Sequence, residues 1–220
     1  MSNLNVLILD FDGVILESVL VKTDAFRELF SFAPEHLDEI VNFHLNNGGM
    51  SRFDKFRYIY AHILLEPLSE ERFLWLGSRF SELVFDGVLA SSFVDGAEEL
   101  LRVCSKHIPL FIVSATPEGE IREIVRRRNL DRYFTGVYGS PRSKSDCIRA
   151  ILAMTGVPPE SVLFVGDAHN DLQAAKEAGV RFVGRVTPRQ PNRFTGEPGV
   201  DHVISDLYEL YRYIRAEYGS

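Results

Sequence analysis

Four carboxylates, a lysine and a serine could do chemistry in this 220-residue chain. Asp10 and Asp12 stand two apart in Leu7-Ile8-Leu9-Asp10-Phe11-Asp12-Gly13, and Ser114 follows Phe111-Ile112-Val113. Lys144 follows Arg142-Ser143, and Asp167 and Asp171 stand four apart after Phe164-Val165-Gly166. Carboxylates gathered in one place repel unless a cation sits among them. An all-oxygen set without His or Cys favours a hard ion, and an open site suited to phosphate favours magnesium. Lys144 and the Ser114 hydroxyl suit phosphate oxygens, with the backbone N–H of Ala115 as a further donor and Thr116 beside it. On an extended segment Asp10 and Asp12 project to one side, and Gly13 permits the tight turn that follows. The set suits phosphoryl transfer, with Asp10 attacking phosphorus to form an aspartyl phosphate. Asp12, expected to be held away from full ionisation, would protonate the leaving oxygen and later take a proton from the attacking water.

For these side chains to meet, the strands of one sheet must end beside them. Apolar runs at 5–9, 108–113, 134–138, 162–165 and 181–186, with a weaker one at 202–204, have the length and composition of strands buried on both faces. Helical patterns at 97–105, 118–128, 145–154 and 171–178 lie between them. The alternation predicts an α/β fold, a Rossmann-like parallel sheet with helices on both faces. In such sheets ligands bind beyond the carboxyl ends of the strands, where all six side chains fall. Residues 18–88 break the alternation with amphipathic helical stretches at 19–33, 34–45, 52–64 and 69–85. The expected organisation is a core of residues 1–17 and 89–220 with a small helical cap inserted at 18–88.

Hydrophobic residues make up 45% of the chain and charged residues 25%, a soluble globular balance with material for a sizeable core. The net charge of -7 speaks against nucleic acid or an anionic membrane surface as partner. An anionic substrate must therefore be drawn in by local positive charge or a metal. Cys104 and Cys147 show neither metal-ligand nor disulfide spacing and read as reduced small hydrophobes. No basic leader precedes an apolar run, and no stretch approaches the roughly 18 apolar residues of a membrane span. A cytoplasmic location and a monomer are the expectations.

With these residues in view, the chain resembles the haloacid dehalogenase-like hydrolase superfamily. Asp10-Phe11-Asp12-Gly13-Val14, Ser114 after a strand, Lys144, and Gly166-Asp167-Ala168-His169-Asn170-Asp171 are similar to its four motifs in order. The position of the insert is similar to that of the helical-cap branch with phosphoglycolate phosphatases and β-phosphoglucomutases. The resemblance implies Asp10 as nucleophile and Asp12 as acid/base. It also implies magnesium held by Asp10, the backbone carbonyl of Asp12 and Asp167, with Asp171 binding the metal or orienting its water. Val14 stands where relatives often carry Thr, and Ser145 where Pro is usual. Asp12 argues against both carbon–halogen cleavage and the phosphonate-cleaving branch, which lack that second acid.

Within the insert, Gly48-Gly49-Met50-Ser51-Arg52-Phe53-Asp54-Lys55 resembles the family's cap specificity loop. Ser51, Arg52 and Lys55 are the substrate-binding candidates there, Arg52 offering a planar fork for an anionic or hydroxylated group. Ser51 with Asp54 also reads as a helix N-cap with an acidic first turn. His44, His62 and His169 are weaker candidates, and Arg185, Arg189 and Arg193 could reach the site. The expected function is a magnesium-dependent phosphatase of a small phosphorylated metabolite. A sugar phosphomutase is the alternative, and a phospho-accepting or non-catalytic signalling or binding domain is the alternative of another class.

Overall fold

The computed structural model describes residues 4–187 and 192–219, so Arg189 lies outside the described residues. The chain begins with β1 (Val6–Leu9), then runs through a helical insert before returning to the sheet. The insert holds α1 (Val19–Leu29), α2 (Leu37–Asn46), α3 (Arg52–Tyr58), continued by a π-helical turn at Ile59–Leu64, and α4 (Glu70–Ala90). The remainder alternates: α5 (Ala97–Cys104), β2 (Leu110–Pro117), α6 (Glu118–Arg127), β3 (Gly136–Ser140), α7 (Lys144–Thr155), β4 (Val162–Gly166), α8 (His169–Ala178) and β5 (Arg181–Arg185). β6 (His202–Ile204) and α9 (Leu207–Tyr218) close the described chain.

The strands form one parallel sheet in the order β3-β2-β1-β4-β5-β6. β1 is central, Leu7 pairing with Leu110 on one side and Leu163 on the other. The period of two along a strand sends its side chains to opposite faces. Leu7 and Leu9 join a core with α5, α6 and α9, while Val6 and Ile8 join a second core with α7 and α8. Both faces are thus covered, as a continuous apolar strand requires.

Several boundaries differ from the sequence expectation. β2 runs to Pro117 rather than stopping at residue 113, and Lys144 opens α7 rather than ending a loop. α4 continues past residue 88 to Ala90, and α9 had no counterpart in the reading. Cys104 and Cys147 are free and buried, as expected of small hydrophobes. Among the described residues no helix is long and apolar enough to cross a membrane.

Two features fix the ends of the insert. The turn after β1 folds back on itself, with the N–H groups of Val14, Ile15 and Leu16 all donating to the carbonyl of Phe11. Leu16 then pairs with Phe93, which brings the outgoing and returning chains together. Arg185, only 2% exposed, locks this crossing: it donates to the carbonyls of Gly13 and Ser205 and to both carboxylate oxygens of Glu17.

Candidate active site

The carboxyl end of the sheet gathers the acidic side chains that the sequence pointed to. Asp10 leaves β1 while its N–H still donates to Val165 on β4, and its Oδ1 accepts from the N–H of Phe11 at 2.7 Å. Asp167 follows β4. Asp171 sits in the first turn of α8, where one oxygen accepts from the N–H of Ala168 at 3.1 Å and caps the helix. Its other oxygen meets Lys144 Nζ at 2.5 Å, and the same ammonium donates to Asp10 Oδ2 at 2.7 Å. Lys144 is buried and serves both carboxylates.

This packing sets the electrostatics. Burial pushes Asp10 up to about 8; Lys144 opposes the shift, and Asp171, Asp167 and Asp12 add to it by repulsion. Burial, then repulsion from Asp171, pushes Asp167 up to about 7. Burial works against charge on Lys144, but the two carboxylates beside it win and hold it above the ordinary lysine value. One oxygen each from Asp10, Asp167 and Asp171 lies within 4.8 Å of the others. Carboxylate oxygens at that spacing, with Asp10 and Asp171 buried and Asp167 half-buried, fit a hard divalent cation, whose charge would add to that of Lys144 in offsetting their repulsion.

Asp12 corrects the sequence expectation. Burial raises its proton affinity, but the Lys22 charge and hydrogen bonds from Lys22, Ser18 and Thr116 outweigh it, leaving the carboxyl below its ordinary value. Ser18 Oγ donates to Asp12 Oδ1 at 2.6 Å, Lys22 pairs with Oδ2, and Thr116 Oγ1 lies 3.3 Å from that oxygen. Asp12 is therefore held ionised rather than away from ionisation. Gly13 stands beside it at φ +75°, where a Cβ would lie 2.4 Å from Asp167 Oδ2, so only glycine allows the close approach.

A cavity of about 420 Å³ opens over these groups, lined on one side by Asp10, Asp12, Ala115, Thr116 and Asp167. The insert supplies the other side, including Lys22, His44, Arg52 and Lys55. The Gly48-Gly49 loop descends onto α8, and a Cβ on Gly49 would lie 2.8 Å from Asn170 Cβ.

The remaining candidates divide. Ser114 is buried, and its Oγ accepts from the N–H of Thr116 at 3.1 Å, shaping the strand end. Ser51 does not line the cavity. Its hydroxyl caps α3, accepting from the N–H of Asp54 at 3.2 Å and donating to the Asp54 carboxylate, so the capping reading wins over substrate binding. Arg52 lines the cavity but its fork is engaged: it grips Glu120 of α6 at 2.6 and 3.0 Å, with Ser81 at 2.7 Å. Lys55 is buried at the cavity wall, and burial followed by the Lys22 charge lowers it to about 7. Arg193 and His169 line the cavity and Arg185 does not.

Lys22 is the site residue that sequence reasoning misses, while His44, one of its weaker candidates, does line the cavity. Val19, Lys22 and Phe26 share one stripe of α1, so a lysine on the apolar face of an amphipathic helix was the available signal.

The family model for haloacid dehalogenase-like hydrolase matches residues 4–179. Phosphoglycolate phosphatase 1 of Pseudomonas aeruginosa is 26% identical over 210 residues, covering 91% of this chain and 76% of the relative. Further phosphoglycolate phosphatases from Pseudomonas match only 52% of the chain and less than half of their own length. Among solved structures, a predicted phosphatase from Clostridium acetobutylicum superposes with a TM-score of 0.78 at 19% identity, covering 98% of this chain and 100% of its own. A protein assigned as a β-phosphoglucomutase from Thermotoga maritima superposes with a TM-score of 0.68 at 21% identity, covering 97% and 99%. At these identities the structural likeness establishes the fold.

Proposed function

Because the chain belongs to the haloacid dehalogenase-like hydrolase family, we propose that it is a magnesium-dependent phosphatase of small phosphorylated metabolites, of the phosphoglycolate or sugar-phosphate type, with Asp10 as nucleophile. The observation that carries this reading is the trio of Asp10, Asp167 and Asp171, the first and last buried, with Lys144 bonded to two of its members. Bound there, with the Asp12 carbonyl as a further ligand, magnesium would supply the charge that lets a carboxylate approach a phosphate dianion.

The chain's own groups do the rest. Lys144 fixes the Asp10 carboxylate and leaves its charge balanced. The carboxylate attacks phosphorus, the bond to the leaving oxygen breaks, and an aspartyl phosphate forms on Asp10. The N–H of Ala115, at the cavity wall, is a donor for a phosphate oxygen, while that of Thr116 is already given to Ser114. Asp12 starts ionised because Lys22 sits on it. A substrate phosphate that draws Lys22 away removes that charge and raises the proton affinity of Asp12. The carboxylate then takes up a proton from the monoanionic form of the bound ester, passes it to the leaving oxygen, and afterwards takes one from the water that hydrolyses the intermediate. Residues 18–88 act as the cap: the Gly48-Gly49 loop and the Arg52–Glu120 pair hold it over the site, excluding water and bulky substrates.

A phosphomutase would use the same residues and return the phosphate to the substrate. The sequence Gly166-Asp167 with Asp171 resembles the phosphatase form of the last motif more than the mutase form, which supports hydrolysis. The test is inorganic phosphate release from a panel of phosphorylated metabolites with and without magnesium, Asp10→Asn serving as the control. Isomer formation without phosphate release would select the mutase. Release that survives Asp10→Asn would end the proposal.

A further inference from the structure

Four cations around this site each have a carboxylate partner. Lys144 has Asp10 and Asp171, Arg52 has Glu120, Arg185 has Glu17 and Lys22 has Asp12. Lys55 is 2% exposed and lines the cavity, yet among the described residues no carboxylate pairs with it. Its ammonium meets only His44, at 3.1 Å from Nδ1 and 3.2 Å from the backbone carbonyl. Burial, reinforced by the Lys55 charge, holds His44 neutral, so it accepts a hydrogen bond and adds no charge of its own. The nearest ring face is that of Phe26, 5.5 Å from Nζ.

A buried ammonium without an anion is costly, and the cost falls when an anion arrives. The missing anion must enter through the cavity, because Lys55 forms part of its wall. The same cavity is lined by Asp10, the proposed acceptor of the phosphoryl group, and by Ala115. A volume of about 420 Å³ admits a phosphate group and a short carbon skeleton reaching across to the insert. A leaving group without charge would close the cap on an unpaired ammonium.

We propose that Lys55, seated on His44, anchors a second anion subsite, so that the substrate is a phosphomonoester whose leaving group carries its own carboxylate or phosphate. The proposal rests on the phosphatase reading above and narrows it to acid-bearing substrates. The proton on Lys55 stays in place through the reaction; its contribution is orientation and selectivity.

Three esters of matched length test it: 2-phosphoglycolate, ethylene glycol bisphosphate and ethyl phosphate. One of the two acidic esters should exceed ethyl phosphate in kcat/KM by about tenfold or more, the worth of one charge-assisted hydrogen bond. The winner identifies whether the second group is a carboxylate or a phosphate. In Lys55→Met the ratio of acidic to uncharged ester should fall close to one, with the loss mainly in KM and with circular dichroism confirming the fold. Equal kcat/KM for all three esters, or a ratio unchanged in Lys55→Met, would overturn the proposal while leaving the phosphatase reading in place. Calorimetry on the Asp10→Asn protein separates the two claims. If no ester is hydrolysed but the acidic ester binds more tightly than ethyl phosphate, the phosphatase reading fails and the subsite stands. If all three bind alike, the subsite fails.

Discussion

Lys55→Met should change the pH dependence of stability in a way that can be worked out beforehand. In the folded protein burial lowers Lys55 from 10.5 to about 7, which at about 1.4 kcal/mol per pH unit corresponds to at most about 5 kcal/mol. The sign follows from proton binding. Between pH 7 and 10.5 the unfolded chain holds a proton on Lys55 that the folded chain lacks, so stability rises with pH across that window. Below pH 7 both states are protonated and the full cost of burying the charge is present. Methionine keeps the side-chain length and carries no charge, so it removes the slope and most of the cost. Urea denaturation of both proteins with chelator and without phosphate is the assay. At pH 7 the variant should be the more stable protein, and its lead should shrink by about 2 kcal/mol between pH 7 and 9. A lead that stays constant across that range would refute the reasoning. So would a variant less stable than wild type at pH 7.

Three further outcomes are expected. Glu120→Gln leaves the Arg52 guanidinium without its anion in a pair whose side chains are 4% and 9% exposed, so it should cost about 3 kcal/mol by thermal denaturation. Arg52→Met with Glu120→Leu should recover most of that loss. Gly13→Ala puts a Cβ 2.4 Å from Asp167 Oδ2 at φ +75°, and should lower turnover at least about a hundredfold and stability by about 1–3 kcal/mol; near-normal turnover would contradict the account of the turn. Magnesium binding should release protons near neutral pH and tighten from pH 6 to 8, because Asp10 and Asp167 are pushed up to about 8 and about 7 in the metal-free protein. Calorimetry in buffers of different ionisation enthalpy reads that release, which should be reduced in Asp167→Asn.

What the sequence made legible was whatever a strand end or a local pattern fixes. The central strands are apolar throughout because both faces are covered, and the residues after them fell at the site for the same reason. The apolar run predicts that β2 stops at Val113, whereas in the structure pairing resumes at Pro117 opposite Ser140 after a register irregularity. α9 escaped notice because its Tyr-rich sequence gives a weak helical preference; Asp206 caps it, and burial of Leu207 and Leu210 supports it. Partnerships between distant residues were not legible. Arg52 pairs with Glu120 across 68 positions, and Lys22 meets Thr116 across 94. Nothing local marks which lysine will be paired and which will be left facing a cavity. The ionisation of Asp12 is hidden from the sequence for the same reason, since its controlling charge, Lys22, stands on another element.

The pairing of Leu16 with Phe93 also bears on how the molecule assembles. β1 must find β2 across a span of about a hundred residues, and closing so long a loop costs about 4 kcal/mol of chain entropy in its length-dependent part. The intervening helices make mostly local contacts and can condense early. Once they have, their ends are tied, and the effective distance between the two strands contracts to a few tens of residues. The same insert that lines the cavity would then act during folding as a splint, presenting the central strand to its neighbour.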